Sequence, residues 1–132
     1  MNPIPDFESG ERWLVESCLK ERYGKIVTTQ AADVELQLAP GDAQLTACPT
    51  LYWEERGAAF VVVKAGEGRW RGMFFYPAEP DGEQYGTGRS EYDDLAECVI
   101  ALLRAQADHE KQRLGVGSGK TALDLARGNE AP

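Results

Sequence analysis

The chain reads as an α+β protein. The expected architecture is an antiparallel sheet of four to five strands, with an N-terminal helix and a long C-terminal helix packed on one face. Two observations carry this reading. Residues Thr50–Arg113 hold three β-rich runs separated by glycine turns and followed by an apolar stripe at helical spacing. A second helical pattern stands near the start of the chain, before residues that alternate with period two.

Taken in order, Met1–Phe7 carries Pro3 and Pro5 and is expected to be an irregular lead-in. From Ser9 to Tyr23 the spacing predicts a helix, with Leu14 and Cys18 on its apolar face. Glu8 and Glu11 stand at the positive end of its dipole, Lys20 and Arg22 at the other, and Gly24 follows as a C-cap. Lys25–Thr29 is short and β-branched, which suggests a strand. Val34–Leu38 alternates, with Val34, Leu36 and Leu38 on one face, until Pro40-Gly41-Asp42 breaks it. Gln44–Cys48 is expected to be extended and to end at Pro49.

Leu51–Glu55, Ala58–Lys64 and Arg69–Tyr76 then read as strands joined by Arg56-Gly57 and Gly66-Glu67-Gly68. On the last of them Trp70, Gly72, Phe74 and Tyr76 share one face and Arg69, Arg71, Met73 and Phe75 the other. One face should meet the helices, leaving the other partly exposed or covered by a partner. A proline- and glycine-containing loop, Pro77–Gly88, precedes Ser90, the expected N-cap, with Asp93 three residues on. Tyr92, Leu95, Ala96, Val99, Leu102, Leu103 and Gln106 give the second helix its apolar stripe. That helix turns polar at Asp108–Arg113. The expected core is Leu14, Cys18, Leu36, Leu38, Val61, Val63, Phe74, Leu95, Val99 and Leu102.

A length of 132 residues fits one domain, taken as 1–113, followed by a flexible tail over 114–132. A globule of this size can be stable without disulfides or metal. A net charge of −8 keeps the protein soluble and disfavours non-specific contact with phosphate backbones. Cys18, Cys48 and Cys98 are odd in number with no paired spacing, and His109 is the one histidine, so no zinc motif is spelled out and no cofactor is expected. There is no apolar run long enough for a bilayer and no basic-then-apolar leader at the N-terminus. Together these features predict a cytoplasmic protein with buried thiols and no membrane association.

Several motifs invite chemistry. Gly115–Thr121 looks like a phosphate-binding loop, but the spacing needs glycine where Leu114 stands, and the string follows a polar helix instead of a buried strand. Thr121-Ala-Leu-Asp124 opens a short run whose Leu123 and Leu125 could dock as a tethered peptide. Glu91, Asp93 and Asp94 make an acidic first turn, explained by the helix dipole before any carboxylate catalysis. Lys64, Arg69 and Arg71 flank a hairpin with Trp70 between them, a pattern able to hold an anion or stack on a base.

The strand–strand–strand–helix order, with Gly86-x-Gly88-x-Ser90 before Asp93-Asp94-Leu95-Ala96, resembles in outline the C-terminal half of HicB-type antitoxins over residues 58–106. It also looks like double-stranded RNA-binding domains. Those likenesses imply binding to a toxin or to nucleic acid. The acidic Ser90–Glu97 departs from the basic helix end that RNA binders use. The function expected is therefore non-enzymatic protein binding, of adaptor or regulatory type, with another protein or a second copy as partner. The candidate binding residues are Lys64, Arg69, Trp70, Arg71, Leu123 and Leu125.

Overall fold

The computed structural model describes residues 4–80 and 82–113. Its elements are α1 (Ser9–Tyr23), β1 (Gln30–Leu36), β2 (Thr46–Glu55), β3 (Ala58–Gly66), β4 (Arg69–Phe75), β5 (Gln84–Tyr85) and α2 (Leu95–Arg113). The strands form one antiparallel sheet in sequence order, β1-β2-β3-β4-β5. The fold is thus the expected α+β arrangement. The packing falls into two compact units parted between Leu102 and Leu103, within α2.

Local chemistry accounts for the elements. Helix α1 starts where Glu11 Oε1 accepts the Glu8 N–H at 2.8 Å, and it ends at Gly24, whose φ of 72° is the left-handed cap conformation. Its fully buried residues are Val15 and Leu19, while Leu14 and Cys18 are half-buried, so the apolar stripe is centred one position beyond the one expected. Arg56 and Gly57 both have positive φ, as the tight hairpin between β2 and β3 requires.

β1 starts four residues before the expected Val34 and β5 lies inside the expected loop Pro77–Gly88; three further departures have a local physical reason. Lys25–Thr29 is not a strand, because Thr29 turns its polar groups to α1. Its N–H and Oγ1 bond Glu16 Oε2 at 3.0 and 2.7 Å, and Arg12 Nε bonds its Oγ1 at 2.9 Å. Pro49 does not end a strand; β2 runs through it. It lies one residue beyond Thr50↔Val63, the last β2–β3 pair, where β2 has a strand on one side only and a missing N–H is tolerated. Finally, Ser90 is not the cap of α2. Tyr92 exchanges backbone bonds with Trp70 at 2.8 and 2.9 Å, holding the chain extended beside β4. Asp94 Oδ1 then accepts the Glu97 N–H at 2.9 Å, and the helix begins at Leu95.

Side chains alternate across the sheet, and cross-strand partners share a face. The helix-covered face carries Leu51, Val62 and Gly72 in one row and Trp53, Phe60 and Phe74 in the next. Both helices meet this face. A side-chain carbon at Gly72 would touch Cys98 and Leu102 of α2 at 3.4 Å, and Lys64 beside Trp70 reaches Glu11 of α1 at 3.0 Å. Trp53 stacks on Phe60 at 5.2 Å, and Phe74 stacks on Tyr85 of β5 at 5.4 Å, so an aromatic row crosses four strands.

Candidate interaction surface

The opposite face is built from Val34, Leu36, Cys48, Thr50, Tyr52, Ala59, Val61, Val63, Arg71, Met73 and Phe75. It divides into two halves. At one end Ile4, Cys48 and Val63 form a small buried cluster, against which Leu36, Leu38 and Val61 pack. Here the lead-in and the chain leaving β1 serve as a cover. Arg71 Nη2 donates to the Leu38 carbonyl at 3.0 Å and so holds that cover down.

Beyond it Tyr52, Val61 and Met73 face one another directly across β2, β3 and β4, with Phe75 beside them, opposite Ala59; Val61 stands at the border and packs against the covered cluster as well. All four are half-buried. Both helices lie on the other face, so this quartet is the uncovered apolar part of the sheet among the described residues. The one charge set among it is Glu54, which accepts a hydrogen bond from the Tyr52 hydroxyl. Burial first, and Glu54 second, push the Tyr52 phenol up to about 12, so it stays a neutral donor at physiological pH. The remaining large exposed apolar side chains, Trp13, Ile26, Leu45 and Ile100, are scattered over separate segments.

The basic hairpin is not one exposed cationic surface. Lys64 is 1% exposed, points to the helix-covered face, and bonds Glu11 Oε1 at 3.0 Å and the Asp6 carbonyl at 3.3 Å. Trp70 is buried beside it. Arg69 and Arg71 both clamp Glu91: Arg69 Nε and Nη2 at 3.0 and 2.8 Å, Arg71 Nε and Nη2 at the same two distances. The Arg69 hydrogen bonds, foremost, hold the Glu91 carboxyl below its usual range. Leu123 and Leu125, the loop-like string Gly115–Thr121 and the tail 114–132 lie outside the described residues.

The acidic trio is divided among three roles. Glu91 is the anion of the arginine clamp, Asp94 caps α2, and Asp93 is exposed between them. Among the described residues there is no group of three or more His, Cys, Asp or Glu able to hold a metal. The three thiols are free, and burial raises the pKa of each, Cys98 to about 12. None is poised as a thiolate at neutral pH.

Arg71, Met73 and Phe75 are placed on one face by the alternation of β4, and that much is legible in the sequence. The clamp was not: Glu91 lies 20 and 22 residues from its arginines, and nothing in the spacing links them. Tyr52 was also missed as a surface residue, since its neighbour across the hairpin depends on register. Compared with protein-family models, curated proteins and solved structures, the chain matches none.

Proposed function

We propose that the chain is a non-enzymatic, cytoplasmic protein-binding domain of adaptor or regulatory type that closes the bare half of its sheet on a second copy of itself. The observation that carries this reading is the quartet Tyr52, Val61, Met73 and Phe75, half-buried side chains aligned across three strands. Aromatic and methionine side chains are the types enriched where protein surfaces meet. Two copies at −8 repel each other, and this patch, with Glu54 as the carboxylate set among it, is where such copies approach at least cost.

Three free thiols, two of them buried and Cys18 half-buried, fit a reducing compartment, and no helix among the described residues is long and apolar enough to cross a membrane. The raised thiol pKa values and the commitment of Glu91 to its clamp speak for binding over nucleophilic or carboxylate catalysis. Anion or nucleic-acid binding through Lys64–Arg71 finds Lys64 buried and both arginines already hydrogen-bonded to the one carboxylate of Glu91.

Sedimentation equilibrium tests the reading. The full chain is expected to be dimeric at about 10 μM, and Met73→Glu to be a folded monomer with an unchanged circular dichroism spectrum. A monomer at every concentration up to about 1 mM would remove the self-association reading.

A further inference from the structure

The two edges of the sheet are unequal. One is β5, two residues long and too short to template anything. The other is β1, seven residues, of which Gln30–Asp33 and Glu35 are exposed. Natural sheets blunt a long edge with charged side chains, proline, a bulge or a covering segment, and the charges on β1 are Asp33 and Glu35, which repel a like edge but not a cationic one. β1 has no lysine or proline, pairs with β2 without a register shift, and among the described residues shows no backbone hydrogen bond on its outer side. It is a row of unpaired donors and acceptors.

A groove of about 310 Å³ opens beside this edge, on the helix-covered face. Ala31 and Ala32 leave it room, Asp6 and Asp33 give it negative charge, and Phe7 contributes a ring. Arg12 also lines it, but its guanidinium is bonded to Thr29 and faces Glu16 at 3.6 Å. Glu35 extends the acidic row along the same face of β1, two positions from Asp33.

We infer that β1 is a strand-addition site for an extended basic peptide, which pairs with the free edge through its backbone and sets alternate Lys or Arg side chains against Asp33, Glu35 and Asp6. Charge selects this occupant over a second copy. Asp33 is the central residue of β1, so two-fold antiparallel pairing of two such edges sets Asp33 against Asp33, and like charges directly opposite destabilise a ladder. A cationic strand replaces that repulsion with attraction, and backbone pairing supplies the affinity. This site is separate from the bare sheet face and stands without it.

The test titrates the full chain with a fluorescent heptapeptide of alternating Lys and Val, its Glu–Val counterpart, and a Lys–Val peptide N-methylated at alternate amides. The Lys–Val peptide is expected to bind with Kd below about 1 mM, to weaken with salt, and to slow hydrogen exchange across 30–36. N-methylation and the double variant Asp33→Asn, Glu35→Gln should each weaken it at least about tenfold. Both substituted side chains are exposed, so the variant keeps its fold. No binding of the Lys–Val peptide, equal binding of the N-methylated form, or protection confined to other segments would each overturn the proposal. None of these readouts depends on whether the chain dimerises through its sheet face.

Discussion

The two faces of the sheet are made by the same strands, often by adjacent residues, yet they do different physical work. On one, Phe60, Val62, Phe74, Leu51 and Trp53 are buried under two helices and form the core. On the other, Tyr52, Val61, Met73 and Phe75 are as apolar as a core requires but only half-buried. The lesson is that apolarity alone does not mark a core position. What marks it is whether another element lies above. Here the chain supplies a cover for the first face, a partial cover around Ile4 and Leu38 for the second, and nothing described for the rest.

This contrast can be broken or sharpened by substitution, beginning with the largest effect. Phe60→Ala empties a site between the Trp53 and Phe74 rings and should cost about 3–5 kcal/mol in chemical denaturation, whereas Phe75→Ala in dilute protein should cost about 1 kcal/mol or less. Comparable losses would erase the distinction between the faces. The buried ion pair gives the next test. Glu11→Ala leaves Lys64 the Asp6 carbonyl and the Phe7 ring, removes the acceptor of the Glu8 N–H at the start of α1, and should cost about 3 kcal/mol. Lys64→Met exchanges the buried charge for an apolar side chain of similar length and should lie within about 1 kcal/mol of wild type. A Lys64→Met loss as large as that of Glu11→Ala would show the pair to be a net source of stability.

Titration separates the faces by a different route. The Cys98 thiol is raised by burial from 9.0 to about 12 on the covered face. A group whose folded pKa is raised favours the native state fully below its unfolded value, so this contribution should hold up to pH 9 and fall as pH climbs toward 12. Cys98→Ala should flatten that part of a stability-versus-pH curve; an unchanged slope would contradict the burial. The smallest effect belongs to the arginine clamp at the margin of the other face. Glu91, lowered chiefly by Arg69, stabilises above its usual value of 4.5, and that contribution is lost as pH falls through its lower folded pKa. With Arg69 half exposed the clamp is screened, and Glu91→Gln should cost about 1 kcal/mol or less near neutrality.

Much of this frame was legible in the residues. Period-two alternation and glycine turns placed β2, β3 and β4, and helical spacing placed α1 and α2. What could not be read were features decided by contacts distant in sequence. Ser90 followed by an acid is a good local cap, but the Tyr92–Trp70 backbone pair outcompetes it and moves the start of α2 to Leu95. A proline signals a strand end, and Pro49 is tolerated inside β2 because the pairing with β3 stops one residue away, a fact of register. β5 is two residues inside a glycine loop and has no pattern of its own. The basic hairpin misled for the same reason. Its charges are visible in the sequence, and the carboxylates that pair with them, Glu11 and Glu91, lie far along the chain.

The most direct test compares Phe74→Asp with Phe75→Asp, adjacent residues of β4 that point to opposite faces. Unfolding by urea, with sedimentation of whatever remains folded, reads both at once. Phe74→Asp is expected to fail to fold, while Phe75→Asp is expected to fold with near-native stability as a monomer. A Phe75→Asp chain that unfolds like its neighbour, or that still dimerises, would contradict the claim that one face is core and the other an interface.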